Sequence, residues 1–323
     1  MKKNKVLITG GAGFIGYHLS KKLLANGFKV DIIDNLSRGK KDKELISLLS
    51  NKNIKFQNLD LSTNCKLSKK NYDYIFHLAA IVGVKNVINS PKNVLEKNIK
   101  LLMNILNFST KQKKIKRFFF MSTSEVYAGS LRNRILNFPT SENNILSLEN
   151  LKNERGTYML SKIYGEALCH FYKIPYTILR PHNIYGERMG MSHVIPELTL
   201  KSLKSGKFLT VHNYNHKRAF CYVDDATEMI LKIMKSKKTI NKVYNLGDQR
   251  TEITMFALAR KIIKILNIKK KFKLNKLNNF SPPRRLPNMK KLLKDIDFKL
   301  SSSFDINLSK TIGWYKTNIK RFK

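Results

Sequence analysis

The sequence predicts an α/β chain built on a doubly wound parallel sheet, with a smaller α+β region in its C-terminal part. Three observations carry that prediction. Short runs rich in β-branched and aromatic residues alternate with amphipathic stretches of helical length. A glycine cluster separates the first such run from the first amphipathic stretch, and an acidic residue closes the second run.

Taken in order, "KVLIT" at 5–9 reads as a buried parallel strand, and "GGAGFIG" follows it. "YHLSKKLLANG" has the spacing of an amphipathic helix, with Gly27 where a helix ends. "FKVDIIDN" is the second strand and closes on Asp34. Further strands are expected at 54–61, 72–80, 115–123 and 175–181, separated by helical segments. Beyond Arg180 the alternation loosens, and "RPHNIYGERMGMSHVIPE" and "FSPPRRLPN" read as polar loops. The expected division is 1–179 for the first domain and mainly 180–323 for the second, with a segment around 215–250 returning to the first.

At 323 residues and 42% hydrophobic, the chain can bury a sizeable core. No stretch is long and apolar enough to span a bilayer, so no membrane partner is expected. The opening "MKKNKVLITGG" has an apolar run too short for a secretory leader and reads as a first strand of a cytoplasmic protein. Cys65, Cys169 and Cys221 are widely spaced, as buried thiols in a reducing compartment would be. His182 and His193 are isolated, and no Cys/His cluster has ligand spacing, so no metal is expected. The net charge of +40 comes mostly from lysines spread along the whole chain. That distribution argues for compositional drift rather than nucleic-acid binding, although the field would draw an anionic substrate toward the surface.

Thr9, Gly10, Gly13 and Gly16 spell TGxxGxxG between a strand and a helix. Glycines there permit a tight turn, close approach of backbone to a pyrophosphate, and close packing of helix on strand; the helix start, with Phe14 and Ile15, offers free N–H groups. Asp34 follows Gly16 by 18 residues at a strand end, where a carboxylate accepts ribose hydroxyls. Motif and context together predict dinucleotide binding. A carboxylate repels a 2′-phosphate, so NAD is preferred to NADP, with nearby Arg38 offsetting this only in part. Asp60 of "LDL" either reaches the adenine or caps a turn.

Tyr158 and Lys162 in "RGTYMLSKIYGE" stand one helical turn apart. So do Tyr17 and Lys21, so spacing alone decides nothing and position must decide. A tyrosine titrating near pH 10 needs a nearby cation to act as a base at neutral pH, and a lysine one turn along the helix and the positive nicotinamide ring can both supply it.

With the glycine turn, Asp34, "HLAA" at 77–80, "STSEVY" at 122–127, Tyr158 with Lys162, and "RAFCYVDD" at 218–225, the chain resembles the extended short-chain dehydrogenase/reductases that modify nucleotide sugars. The resemblance runs from about residue 5 to about residue 316. It implies a Rossmann-type domain, tightly held NAD, a C-terminal substrate domain, a nucleotide-diphosphate sugar as substrate and a homodimer formed through paired helices. Residue by residue, it implies Thr123 as the active-site hydroxyl, Tyr158 as acid/base and Lys162 as the holder of the nicotinamide ribose. It also implies that Asn35, Leu61, Leu78, Ala79, Ala80 and Asn98 line the cofactor, with Asn183 near the sugar and Arg218 and Arg285 on the diphosphate. Asn288 stands where the similar pattern RxPD carries an acid, which weakens any contact of that acid with the nucleotide ribose.

The fate of the resulting 4-keto sugar stays open at this level. Epimerisation is the leading reading. Dehydratases resembling this chain carry Asp then Glu after the active-site hydroxyl, whereas this chain has Ser124 and Glu125. The Thr, Ser, Glu order also occurs in UDP-glucuronate decarboxylases, paired with an arginine in an RxP context like "RLP" at 285–287. Glu125 is either an active-site carboxylate or a cap on the loop. His77 is expected to pack at a strand end. A non-catalytic NAD-binding regulator is the rival from another class; the presence of Thr123, Tyr158 and Lys162 together argues against it.

Overall fold

A computed structural model describes residues 4–63, 67, 70–148, 150–277, 281–299 and 303–322; Cys65 and Phe280 lie outside the described residues. Its centre is a seven-stranded sheet. The strands are β1 (Lys5–Thr9), β2 (Lys29–Asp34), β3 (Ile54–Asn58), β4 (Tyr74–His77), β5 (Arg117–Met121), β6 (Tyr176–Pro181) and β7 (Lys242–Leu246). They run β7-β6-β5-β4-β1-β2-β3, and every neighbouring pair is parallel.

Side chains along a strand point alternately to the two faces, so each strand feeds two cores. Val6, Ile8, Phe76 and Phe119 join one cluster, which extends into the C-terminal region. Leu7, Ile75, Phe118 and Phe120 join the other. Helix Phe14–Ala25 packs with helix Val223–Lys235, and helix Pro91–Thr110 with helix Gly156–Phe171. Both faces being covered explains why the strands are nearly continuous apolar runs.

The strand order reverses between β1 and β4, which leaves a crevice at their carboxyl ends. There His77 is 1% exposed and its Nδ1 lies 2.8 Å from Thr9 Oγ1, with its ring alongside those of Phe118 and Phe120. Burial, then the Lys162 charge, pushes this imidazole down to about 3, so it is a neutral packing group at the strand end.

The C-terminal region is built from short strands. Lys217–Ala219 pairs antiparallel with Glu252–Thr254 and parallel with Arg284–Arg285. Cys221–Tyr222 pairs with Ile184–Tyr185, and Lys271–Asn275 with Phe208–His212. Between these elements, residues 223–246 return to the main sheet as helix Val223–Lys235 and edge strand β7.

Candidate active site

The glycine turn fits a dinucleotide's pyrophosphate. A Cβ on Gly16 would sit 2.3 Å from the Gly10 carbonyl oxygen, and one on Gly10 would sit 2.7 Å from the Ala79 nitrogen. Gly10 also has φ +72°, a conformation glycine adopts without cost. The helix Phe14–Ala25 starts with no side-chain cap and no acidic residue in its first turn, so its N-terminal end could hold an anion.

Asp34 ends β2 beside this turn. Its Oδ2 accepts from Ala12 N at 3.0 Å and its Oδ1 from Leu36 N at 2.8 Å, which leaves lone pairs for ribose hydroxyls. Burial raises its pKa, opposed by backbone N–H groups of Leu36, Ala12 and Gly13. Asp60 takes the capping role: its Oδ1 accepts from Ser62 N at 2.8 Å and Ser62 Oγ at 2.6 Å, while its Oδ2 accepts from Asn35 Nδ2 at 3.1 Å. Leu61 is buried below this turn. Leu78 and Ala79 continue from β4, with their N–H groups donated to Thr9 O and Thr9 Oγ1; Ala80 follows, half-buried. Asn98 is spent on the same loop: Oδ1 accepts from Ile81 N at 2.7 Å and Nδ2 donates to Ile81 O at 3.1 Å. It braces the crevice wall.

On the opposite side of the crevice, Thr123 follows β5 and Tyr158 projects from the first turn of helix Gly156–Phe171. The Thr123 side chain is near enough to the Tyr158 phenol to favour its ionised form. Lys162, 4% exposed, donates from Nζ to Met121 O at 2.8 Å and stands 5.9 Å from the centre of the Tyr158 ring. Burial pushes this ammonium down to about 8, against the opposing effects of Cys169 and Glu166. In the Tyr158 phenol, burial, then the Glu125 charge, raises the pKa above the ordinary tyrosine range, outweighing the Thr123 side chain and the Arg38 cation. Desolvation is the reason: the helical turn brings the lysine near, but its nitrogen is directed at a carbonyl.

Tyr17 and Lys21 behave differently. Tyr17 is buried beneath the Arg188 guanidinium, 4.0 Å from its ring centre, and Lys21 is exposed.

The substrate side faces Thr123. Glu125 does not cap the loop with its side chain; Thr123 does, accepting from Glu125 N at 3.2 Å. The Glu125 carboxylate instead meets Arg285 Nη2 at 2.5 Å. Burial pushes its pKa up, but Arg285, with Arg155 and Arg218, brings it below the ordinary glutamate value. Arg218 sits beside Arg285 in the paired strands, held by Lys217 O, Ser281 Oγ and Pro282 O. Burial and the Arg285 charge push it down to about 9, against Glu125. Asn183, at φ +41°, donates to Ala219 O at 3.0 Å and so fixes the strand that carries Arg218. Asn288 Oδ1 accepts from Lys290 N at 3.0 Å at the start of helix Lys290–Asp295.

Several residues were not read from sequence. Arg155, three residues before Tyr158, acts on Glu125; Arg38, read from sequence only as a cation near Asp34, acts on Tyr158 and contacts His193 Nε2 at 3.5 Å. Arg188 joins the two loops that flank the glycine turn through Asp42. Arg180, buried, pairs with Glu166 behind the catalytic helix, and Glu166 also accepts from Ser122 at 2.5 Å. Among the described residues no group of three or more His, Cys, Asp or Glu side chains has the arrangement of a metal site. No described helix is long and apolar enough to cross a membrane.

Comparison with known proteins agrees with this geometry. Residues 6–247 match the NAD dependent epimerase/dehydratase family. A UDP-N-acetyl-alpha-D-glucosaminuronate decarboxylase of Bacillus cytotoxicus is 32% identical over 97% of this chain and 98% of its own length. The crystal structure of a UDP-glucuronic acid 4-epimerase from Bacillus cereus, in complex with UDP-glucuronic acid and NAD, superposes with TM-score 0.83 at 26% identity, covering 97% of this chain and 99% of that one. A UDP-N-acetylglucosamine 4-epimerase from Methanobrevibacter ruminantium, in complex with UDP-N-acetylmuramic acid, gives TM-score 0.81 at 26% identity, covering 98% of this chain and 100% of that one.

Proposed function

The chain belongs to the NAD dependent epimerase/dehydratase family, and on that premise we propose that it is a nucleotide-sugar epimerase working through a transient 4-keto sugar. NAD would supply a reversible hydride acceptor when bound. Gly10, Gly13 and Gly16 would let the backbone approach its pyrophosphate, Asp34 would accept from its adenosine ribose and Lys162 would donate to its nicotinamide ribose. Tyr158 would receive the proton of the sugar's 4-hydroxyl as a phenolate, which Lys162 and the positive charge of a bound nicotinamide would favour, and Thr123 would share a hydrogen bond with that oxygen as the proton leaves. Arg218 and Arg285 bind the substrate's diphosphate, and Asn183 positions the sugar beside Thr123.

The observation that carries epimerisation is the state of Glu125. Eliminating water needs an acid that gives up a proton; Glu125 is ion-paired to Arg285 at 2.5 Å, and the preceding position is Ser124. With Glu125 held in that pair and serine before it, the ketone would keep its neighbouring hydroxyls, turn over, take hydride back on its other face and regain its proton from Tyr158. The same pair favours a second reading, a UDP-glucuronate decarboxylase-like enzyme, because an arginine beside the sugar suits a uronic carboxylate.

We propose residues 180–323, apart from the segment that returns to the sheet, as the substrate-binding part. A homodimer through helices Pro91–Thr110 and Gly156–Phe171 is supported by Met103, Tyr164 and Phe171, apolar residues left exposed there, Phe171 at 83%. A cytoplasmic setting is supported by the buried free thiols Cys169 and Cys221. Incubation with UDP-, GDP-, dTDP- and CDP-sugars, read by product mass, tests the reading. A new chromatographic species of unchanged mass means epimerisation, and loss of water or carbon dioxide overturns it in favour of dehydration or decarboxylation.

A further inference from the structure

His182 follows β6 and is 2% exposed. Its protonation is fixed by Asn245, fully buried, whose hydrogen bonds leave one orientation. Asn245 Nδ2 donates to Thr140 O at 2.8 Å and Asn288 O at 3.4 Å, so Oδ1 is the acceptor for its other neighbours. Those are Tyr127 Oη at 2.9 Å and His182 Nε2 at 3.0 Å. His182 therefore carries its proton on Nε2 and keeps a lone pair on Nδ1. That Nδ1 is buried with no hydrogen-bond partner. Burial, helped by the charges of Arg285 and Arg180, pushes the imidazole down to about 3, so it stays neutral.

An orphan acceptor this deep costs stability unless something fills its need. His182 lines a cavity of about 20 Å³, room for one water-sized polar group, whose polar wall includes Ser124, Glu125 and Arg285 and whose apolar wall includes Leu131 and Phe138. The cavity adjoins Thr123 through Ser124 and Glu125. We infer that His182 is a substrate-positioning residue whose Nδ1 accepts a hydrogen bond from a donor on the sugar, either an acylamino N–H or a hydroxymethyl O–H. The pairing is chemically selective. Among the polar groups of that wall, the Glu125 carboxylate is engaged by Arg285, whereas Nδ1 of His182 is an acceptor with no partner.

This inference rests on the nucleotide-sugar reading, and its test separates the two. The NAD-loaded full chain and its His182→Phe variant are assayed with UDP-glucose, UDP-N-acetylglucosamine and the 2-deoxy and 6-deoxy analogues of UDP-glucose. The variant raises KM about tenfold for sugars that carry the contacted donor and leaves it within about twofold for the analogue lacking it. Its NAD content matches wild type. Sensitivity at the 2-position assigns the acylamino source, and at the 6-position the hydroxymethyl source. An equal change on every sugar means a purely structural histidine and overturns the inference, as does no change. If wild type turns over none of a wider nucleotide-sugar panel, the underlying reading falls and the inference with it.

A second measurement needs no variant. In wild type, the nitrogen-15 signals of His182 show the Nε2–H tautomer, and the Nδ1 signal moves when UDP-sugar binds but not when UDP alone binds. An Nδ1 signal indifferent to the sugar overturns the inference.

Discussion

Glu125 and Arg285, 160 residues apart in the chain, meet at 2.5 Å and join the turn after β5 to the short strand Arg284–Arg285. Each is partly shielded, 29% and 19% exposed at the side chain. The contact holds the substrate side against the catalytic turn and keeps the carboxylate ionised.

Stability in acid follows from that pair. The folded pKa of Glu125 lies below its ordinary value, so its contribution is complete above the unfolded value of about 4.3 and is lost as pH falls through the folded one. Glu125→Gln is expected to cost about 1–2 kcal/mol at pH 7, with the difference from wild type shrinking in acid. Thermal melts from pH 7 to 3 measure it; a constant difference would mean the ion pair contributes no linkage.

Removing the Tyr158 hydroxyl should stop chemistry and spare binding. Tyr158→Phe is expected to lower kcat by about 10²–10⁴-fold while NAD and nucleotide-sugar affinities stay within a few-fold. Turnover and calorimetry on one preparation check it, and unchanged turnover would remove Tyr158 from the mechanism.

The parts of this site that are legible in sequence are the local ones. The glycine turn, Asp34 and the Tyr158–Lys162 spacing each need one strand–helix unit or one helical turn to be interpreted. Glu125–Arg285, Arg38–His193 and Arg188–Asp42 need the packing of segments more than a hundred residues apart, and no local pattern encodes it. The C-terminal strands are two to five residues long, too short for a periodicity to register. Direction was also hidden: helical spacing brings Lys162 near Tyr158, but only the fold shows Nζ bound to Met121 O.

Lys162 gives a signature in alkali. Its folded pKa of about 8 lies below the ordinary 10.5, so between these values the unfolded chain binds more protons and stability rises with pH. Lys162→Met should abolish that rise. Denaturant titrations from pH 7.5 to about 10 test it, and a wild-type curve that is flat or falling relative to the variant contradicts the assignment.

Gly16→Ala forces a methyl to within 2.3 Å of the Gly10 carbonyl, where both neighbours are backbone. The expected outcome is loss of NAD from the purified protein and a stability cost of about 1–3 kcal/mol. Absorbance of released dinucleotide after denaturation reads the first, and full NAD occupancy would show that the turn is not the pyrophosphate cradle.

Phe171, exposed at the end of the catalytic helix, is the test of association. Phe171→Asp is expected to convert a dimer to monomer in sedimentation experiments without changing NAD content. A wild-type monomer would refute the proposed pairing of helices.

The central claim is hydride removal from and return to C4 of a nucleotide sugar with nothing else lost. The direct measurement uses nucleotide sugars deuterated at C4, with product followed by mass spectrometry and proton NMR. The account predicts a product of unchanged mass that keeps its deuterium at an inverted C4. Deuterium found elsewhere in the sugar, or a product lighter by water or carbon dioxide, would contradict it.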